Sequence, residues 1–484
     1  MSEKHVTEVK AVSSPTSSTN ADEAVPTIDP QVEKAILRKL DFRVIPVLWF
    51  LFLVSFVDRG NIGNAKIQGM TKTLHITKGN KYNIAVMVFT LAYVVCGVPA
   101  NIVFRKVGPK SLSVMMFIWG LFAMGQGFSK TWGSLVACRF MMGIFEAGFV
   151  PGCAYLIGSY YRKDEFLRRY TVFFSAAIIA GAFNGLLSTL LAKADGAGGL
   201  EGWQWIFVCE GLITCCVALV SSFLIVNWPE KTKLLTPEEK AVLLERLRQD
   251  GGEVVHDRIS KHVVEALLDW KVWLGMLSYI GTEENASAVV AFQPTVLKGL
   301  GYTSTSAQVH SIPIYCVAFV ASLTCAWLSE HLRQRYFFAL FGATLTLVGL
   351  SIEIAQPHSD NVKYAGMFLI TAGTYITMPI MVVWTAINVG KGYKRTVAFG
   401  LVIATGNAGA LISSNVFITS EAPKYPTGFS VGMGMNCLSI ACMTALYVGL
   451  RMENNKKDRN PVEITVELEE ELSGEKHPAW RYQL

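Results

Sequence analysis

Charge is what this 484-residue chain has least of: 17% of its residues are charged and 51% are apolar, where a soluble globular protein carries about 25% charged residues. An ordinary water-soluble fold is excluded. The charges are also clustered, because residues 1–41, 227–271 and 451–484 hold 43 of the 80 and leave the other 364 residues about one-tenth charged. Acids are scarcest of all, with 13 of the 37 in that apolar body against 24 of the 43 bases. Cysteine is absent outside the apolar stretches. All ten (Cys96, Cys138, Cys153, Cys209, Cys215, Cys216, Cys316, Cys325, Cys437 and Cys442) lie within them, which argues against a disulfide framework or a zinc site. No P-loop interrupts the chain, so ATP-driven transport is disfavoured, and neither H-E-x-x-H nor G-x-S-x-G occurs to suggest an intramembrane enzyme. The expectation is a non-enzyme with no cofactor and no metal.

A bilayer crossing needs about 20 consecutive, mostly apolar residues in a helix, since the hydrocarbon core offers no water to an open backbone. Twelve such stretches occur, over 43–66, 82–104, 111–128, 132–160, 170–192, 204–226, 272–292, 307–328, 334–355, 362–388, 396–416 and 428–450. Residues 1–35 lack a short apolar signal segment and are rich in Ser, Thr, Pro and Glu, which reads as a disordered cytosolic tail. If both termini are cytosolic, the short inner loops hold twelve bases (among them Arg105, Lys106, Arg168, Arg333, Arg335, Lys391 and Lys394), while five outer loops hold one each. The first outer loop, with Lys66, Lys72, Lys78 and Lys81, is the exception. This asymmetry sets the orientation, so the net charge of +6 reports topology and no nucleic-acid partner is expected.

Residues 227–271 separate six spans from six. Thr236-Pro237-Glu238-Glu239 opens this linker with a capping box and Pro at the first helical position, and Leu243, Leu244 and Leu247 follow with helical periodicity. A cytosolic amphipathic helix is expected there. The halves also repeat, as transporter folds commonly do. Gly97-x-Pro99-x-Asn101-x-x-x-Arg105-Lys106 after the second span recurs as Ala326-x-Leu328-x-Glu330-His331-x-Arg333-x-Arg335 after the eighth, an offset of 229, and Pro151 recurs as Pro379 at 228. The fold class expected is an all-α membrane protein of 12 transmembrane helices in two pseudo-symmetric six-helix bundles. Its division is a tail over 1–35, an N-terminal bundle over 36–226, the linker over 227–271, a C-terminal bundle over 272–450 and a charged cytosolic tail over 451–484.

The Gly97–Lys106 stretch resembles the loop 2-3 signature of the major facilitator superfamily, with Asn101 in place of its Asp and Phe104 in place of its second Gly. Asp58-Arg59-x-Asn61-Ile62-Gly63-Asn64-Ala65, taken with Arg139-x-x-x-Gly143-x-x-Glu146-Ala147-Gly148-x-x-Pro151-Gly152, is similar to the anion:cation symporter branch. Gly202-Trp203-x-Trp205-x-Phe207 with Glu210-Gly211, and Leu268-Asp269-Trp270-Lys271, resemble its fungal allantoate-permease group. The resemblance covers residues 36–450. It implies the major facilitator fold, a proton-driven uptake of anions, and gating by Gly97, Asn101, Arg105, Lys106, Glu330, Arg333 and Arg335.

A charge at the bilayer centre costs roughly 3–10 kcal/mol, so ionisable residues within spans are functional candidates. They are Asp58, Arg59, Arg139, Glu146, Glu210, Glu283 and Glu284, with Glu353 near a span end expected to snorkel. At 1.5 Å per residue, Asp58 lies about 22 Å into the first span and Arg139 about 10 Å into the oppositely running fourth, which puts them at one level. Glu146 follows two turns deeper on the same face. Glu283 and Glu284 fall near the midplane, and one or both are read as proton-coupling groups. Arg59 supplies a bidentate partner for a substrate carboxylate. Asp58 and Glu146 carry the proton, since a dry site favours a protonated carboxyl and a guanidinium the ionised one, so an arginine that moves works as a switch. Arg139 is that switch. The resemblance implies the same roles for these four. Glu210 reads as structural.

Trp384, Tyr375, Asn184, Asn407 and Asn415 are candidates for substrate contacts in an apolar cavity with few polar groups. The Gly-x-x-x-Gly pairs at 148, 181 and 428 read as close helix contacts. The function expected is secondary active transport: proton-coupled uptake of a small organic anion, nicotinate or a related vitamin carboxylate, by alternating access. Allantoate or another ureide, pantothenate and biotin are the alternative substrates, and a non-transporting nutrient sensor is the alternative of a different class. Partners are the anion, protons and the bilayer, in the plasma membrane or else the endoplasmic reticulum.

Overall fold

The structure is a computed structural model that describes residues 30–76, 81–249, 264–302, 304–390, 392–417, 421, 424–459 and 480–484. Every regular element among the described residues is helical, and each of the twelve apolar stretches has its helix. Span 1 is Ile45–Ile67, span 2 Lys81–Val107, span 3 Ser111–Gln126, span 5 Lys163–Leu191 and span 6 Gly202–Leu224. Span 7 is Trp270–Gly299, span 8 Ser304–His331, span 9 Arg335–Ala355, span 10 Asp360–Ile387 and span 12 Pro426–Arg459. Spans 4 and 11 are each broken in two, Trp132–Glu146 with Phe149–Tyr160 and Gly392–Gly406 with Ala408–Val416. Among the described residues, ten helical stretches are long and apolar enough to cross a membrane by length and composition. Span 3 is shorter, and span 7 is diluted by Lys271, Glu283, Glu284 and Lys298. Two sets of six spans, as the duplication requires, account for all of them.

The breaks have local causes. Proline has no N–H to give the carbonyl four residues back, so Pro151 leaves Ala147 without that partner, at the turn over 147–148. In span 11 Ile403 O accepts twice at the break, from the backbone N–H of Asn407 (3.2 Å) and from its side-chain amide (2.8 Å).

Packing repeats between the halves. Spans 1 and 5, 2 and 4, and 3 and 6 pair in the first, and 7 and 11, 8 and 10, and 9 and 12 in the second. The two bundles meet through spans 5 and 8 and spans 2 and 11, which are each other's counterparts under the duplication. Close approach is bought with small residues: a Cβ on Gly148 would lie 2.8 Å from Met115 Cε, and one on Gly181 2.8 Å from the Tyr315 ring.

Three expectations change at the chain's charged segments. Residues 30–35, expected to belong to an unstructured tail, begin a helix, Pro30–Arg43; residues 1–29 lie outside the described residues. The linker helix Pro237–Gln249 forms with its capping box, Thr236 N–H to Glu239 Oε2 at 3.1 Å and Glu239 N–H to Thr236 Oγ1 at 3.3 Å, while 250–263 are not described. Buried Arg246 on that helix pairs with Glu33 (2.5 Å) and with Glu165 of span 5, and Lys39 pairs with Glu239. Span 12 runs to Arg459 instead of ending near 450, and residues 480–484 return to the C-terminal bundle; residues 460–479 are not described. The linker helix and the loops between spans 2–3, 4–5, 8–9 and 10–11 share one end of the molecule, called here the basic end.

Candidate functional site

Residues of the first half form two adjoining polar centres. In the first, Asp58 is buried among spans 1, 3 and 6, where its Oδ2 accepts from Trp119 Nε1 (3.2 Å) and Thr214 Oγ1 (2.8 Å). Its Oδ1 has no hydrogen-bond partner. Glu210 lies one turn before Thr214, buried, with no hydrogen bond of normal geometry at either oxygen and Asn61 facing it. Two carboxyls therefore share one dry chamber inside the N-terminal bundle.

The second centre faces the other bundle. Span 1 turns about 100° between successive residues, so Arg59 points away from Asp58's chamber. Its Nε donates to Glu146 Oε1 at 2.5 Å, and Ser55 Oγ donates to the same oxygen at 2.8 Å. Glu146 is fully buried and Arg59 retains 18% side-chain exposure. The guanidinium lies over Tyr93 (4.7 Å), Phe56 (5.5 Å) and Phe89 (5.7 Å), while its Nη2 has no hydrogen-bond partner. A partly buried arginine with a donor to spare is suited to binding an anion. Arg139 sits on the far side of Phe89 at 5.2 Å. It is buried and no carboxylate lies within 4.0 Å of it in the described residues, so the ion pair in this conformation is Arg59 with Glu146.

Across the bundle interface, Glu283 of span 7 is within electrostatic reach of Arg59 and accepts from Ser287 Oγ (3.2 Å). Tyr93, Tyr170, Tyr279, Tyr315 and Tyr375 surround this region, all buried, with the Tyr315 and Tyr375 rings 6.2 Å apart. Among the described residues the hydroxyl of Tyr170 has no hydrogen-bond partner, and that of Tyr93 has none of normal geometry, with Arg59 facing it. Glu284 points elsewhere, into the interior of the C-terminal bundle.

The other candidates are spread more widely. Asn184 accepts from Asn64 Nδ2 (3.2 Å) and donates to Val57 O (3.4 Å), tying span 5 to span 1 beside Gly60. Asn407 serves the break in span 11, and Asn415 is exposed at that span's far end, bonded to Leu411 O. Trp384 lies toward the basic end, its indole N–H taken by Gln483 O at 2.8 Å, with Asn388 donating to the same oxygen. Glu353 does not snorkel, because it is 2% exposed and its Oε1 has no partner.

The gating candidates gather at the basic end. A Cβ on Gly97 would lie 2.8 Å from Ala404 Cβ of span 11, and one on Gly400 3.0 Å from Asn101 Nδ2, so glycines set the distance between spans 2 and 11. Arg168 N–H donates to Glu330 Oε2 (2.8 Å), and Phe399 packs on Tyr170 (5.6 Å) and Phe166 (6.1 Å). Arg105 lies over Tyr155 at 5.1 Å, Lys106 and Arg333 are exposed, and buried Arg335 donates its N–H to Leu484 O (2.9 Å). The bundles are in contact at this end.

Glu210 was read from sequence as structural, and Ser55, Trp119, Thr214 and four of the five tyrosines were not singled out. Tyr93, Tyr279 and Tyr315 had a signal: like Tyr375 they fall well inside their apolar stretches, whereas membrane tyrosines concentrate at the interfaces; Tyr170, the first residue of the fifth stretch, had none.

A model of the Major Facilitator Superfamily matches residues 48–414. The chain is similar to the MFS-type transporter cnsO of Penicillium expansum, 33% identical over 93% of this chain and 90% of that one. It is also similar to a high-affinity nicotinic acid transporter of Saccharomyces cerevisiae, 28% identical over 96% and 87%. Among solved structures it resembles the proton:xylose symporter XylE bound to 6-bromo-6-deoxy-D-glucose, with a TM-score of 0.66, 16% identity, and 85% of this chain and 96% of that one covered.

Proposed function

Because the chain belongs to the major facilitator superfamily and is a multi-pass membrane transporter, we propose that it takes up a small organic anion together with protons, by alternating access between its two bundles. The observation that carries this reading is the buried Arg59–Glu146 pair at the bundle interface, with an unused guanidinium nitrogen and a surround of tyrosines. In the pair, Glu146 competes with a substrate carboxylate for Arg59. Protonating Glu146 removes that competition and frees a planar, permanently charged donor for the anion. Proton and anion then enter the site together, and each is bound poorly without the other. Asp58 and Glu210 form the second carboxyl chamber, and Arg139, with no carboxylate partner in this conformation, is the cation that exchanges between the centres as the bundles rock. Glu283 meets Arg59 from the C-terminal bundle and makes the opposite half sensitive to the same charges.

A tyrosine-rich surround with one arginine suits a planar ring-bearing monocarboxylate. Nicotinate is the favoured substrate within the anion:cation symporter branch and its allantoate-permease group, and the likeness to a nicotinic acid transporter supports it. Allantoate, pantothenate and biotin follow. The basic end is cytosolic by the distribution of Lys and Arg, both termini lie there, and the membrane is the plasma membrane. Tail, bundles and linker divide as the charge clusters do, with the first helix and the linker helix clamped on the cytosolic face. The loop 2-3 and 8-9 residues, with Gly97 and Asn101, are the inner gate. The test is uptake of a panel of labelled vitamins and ureides by cells that express the protein: acid-stimulated accumulation of one carboxylate supports the assignment, and no accumulation of any of them counts against it. Asp58→Asn should abolish acid-driven accumulation yet spare exchange at equal surface expression.

A further inference from the structure

Glu284 is a carboxyl inside the C-terminal bundle with no charge to meet. It is 0% exposed, neither of its oxygens has a hydrogen-bond partner, and it lines a cavity between spans 7, 9, 10, 11 and 12. The next residue's amide is committed, since Asn285 Nδ2 donates to Gly281 O (3.0 Å) and Gly432 O (3.1 Å). Gly432 leaves the carboxyl its room: a Cβ there would lie 3.5 Å from Glu284 Oε2 and 3.0 Å from Asn285 Oδ1. Nine residues on, about 13 Å along the helix away from the basic end, Gln293 is 1% exposed with its amide nitrogen and oxygen both unpartnered. It lines the same cavity, beside Phe292, Phe417 and Phe429. The cavity has room for about one water molecule, and Glu284, Asn285 and Gln293 are its polar lining residues among those described.

Charged groups on the elements packed around span 7 lie off this cavity. Glu283 faces Arg59 from the other side of the helix, and Asp58 and Arg59 are on span 1. Span 10 carries Asp360 and Lys363 at its far end, span 11 Lys394 and Arg395 and span 12 Arg451 at the basic end, and span 8 His310 and Glu330. Glu353 stands three residues beyond the lining residue Leu350 on span 9. Among the described residues, Glu284 is the one charged residue lining the cavity. An isolated buried carboxylate costs several kcal/mol, which a bound proton removes.

We propose that Glu284 is a second proton-binding site, supplied from the outer end of the C-terminal bundle past Gln293, by a route separate from the Arg59–Glu146 centre. The proton passes from water to the carboxylate and back, with no other reactant. Its place gives it leverage, because Gly409, just past the break in span 11, packs on the span 7 backbone at Ile280–Glu284, where a Cβ would lie 2.4 Å from Ile280 O and 2.6 Å from Glu284 N. Charging or neutralising Glu284 acts on that break. The inference rests on the proton-coupled reading for its purpose and not for its existence.

The test is infrared spectroscopy of the full-length protein in lipid nanodiscs, without substrate. A carboxylic-acid C=O band present at neutral pH should vanish in Glu284→Gln, and the melting temperature of that variant should match the parent's. In D2O the band should exchange about tenfold more slowly when the cavity is filled by Ala288→Leu or, if that variant does not fold, when its polar relay is removed by Gln293→Leu. Arg59→Ala should leave its exchange rate unchanged. Loss of no acid band in Glu284→Gln, or an exchange rate that responds to Arg59→Ala and not to the cavity variants, overturns the proposal. Failure of proton-coupled uptake leaves these spectra readable, so the two readings fall separately.

Discussion

Arg59→Ala is the most informative single perturbation, because it strands Glu146. Removing one partner of a buried ion pair costs about 3–5 kcal/mol, and the 18% exposure of Arg59 places this case toward the lower end. Loss of the cation–π contact with Tyr93 at 4.7 Å adds about 0.5–1 kcal/mol, for a total near 4 kcal/mol. At about 2–4 °C per kcal/mol for a bundle of this size, the melting temperature in detergent should drop by roughly 8–16 °C at pH 7. Adding Glu146→Gln removes the stranded charge, so the double variant should melt above Arg59→Ala alone while neither transports. If Arg59→Ala melts like the parent at pH 7, or if Glu146→Gln adds a further independent loss, the pair is not the energetic unit described here.

Tyr170→Phe removes a buried hydroxyl with no partner, so stability should hold or rise by up to about 1 kcal/mol while the KM of uptake rises if that hydroxyl binds substrate; an unchanged KM removes Tyr170 from the site. Gly97→Leu should wedge spans 2 and 11 apart at Ala404 and hold the basic end open, read as increased labelling of an engineered cysteine at position 400 by a cytosolic thiol reagent. Arg246→Ala leaves Glu33 and Glu165, both partly exposed, without their cation and should cost about 1–3 kcal/mol, seen as faster proteolysis of the linker helix. The same helix should loosen in acid. Hydrogen bonding from Arg246 holds Glu33 below the usual carboxylate value of 4.5, and hydrogen bonding from Lys39 does the same for Glu239. Carboxyls lowered in the folded state stabilise it above that value and lose the contribution as the pH falls below it. The protection of the 237–249 amides, taken relative to their intrinsic exchange rates at each pH, should therefore fall below about pH 4.5 and hold between pH 5 and 8.

The spans were legible because twenty apolar residues in lipid have one backbone solution. The duplication was legible from Pro151 and Pro379, and the packing of spans 1 with 5 and 7 with 11 repeats it. What a linear pattern does not carry is direction around a helix axis. Asp58 and Arg59 are neighbours in sequence, yet one turns inward to Trp119 and Thr214 and the other toward the second bundle. Glu283 and Glu284 part in the same way. Depth alone likewise set Arg139 level with Asp58 without showing that Arg59 takes the carboxylate of Glu146. Glu353 was misplaced because distance from a span end says nothing about which side a neighbouring helix covers; Gly366 of span 10 closes over it, where a Cβ would lie 2.9 Å from its Oε1.

Coupling itself is the central claim. The purified protein is reconstituted into liposomes with a pH-sensitive dye inside, with equal pH on both sides, and the carboxylate identified by uptake is added outside. The account predicts acidification of the lumen that starts with the anion and is lost in Glu146→Gln, with anion exchange retained. Entry of the anion with no movement of protons would contradict it.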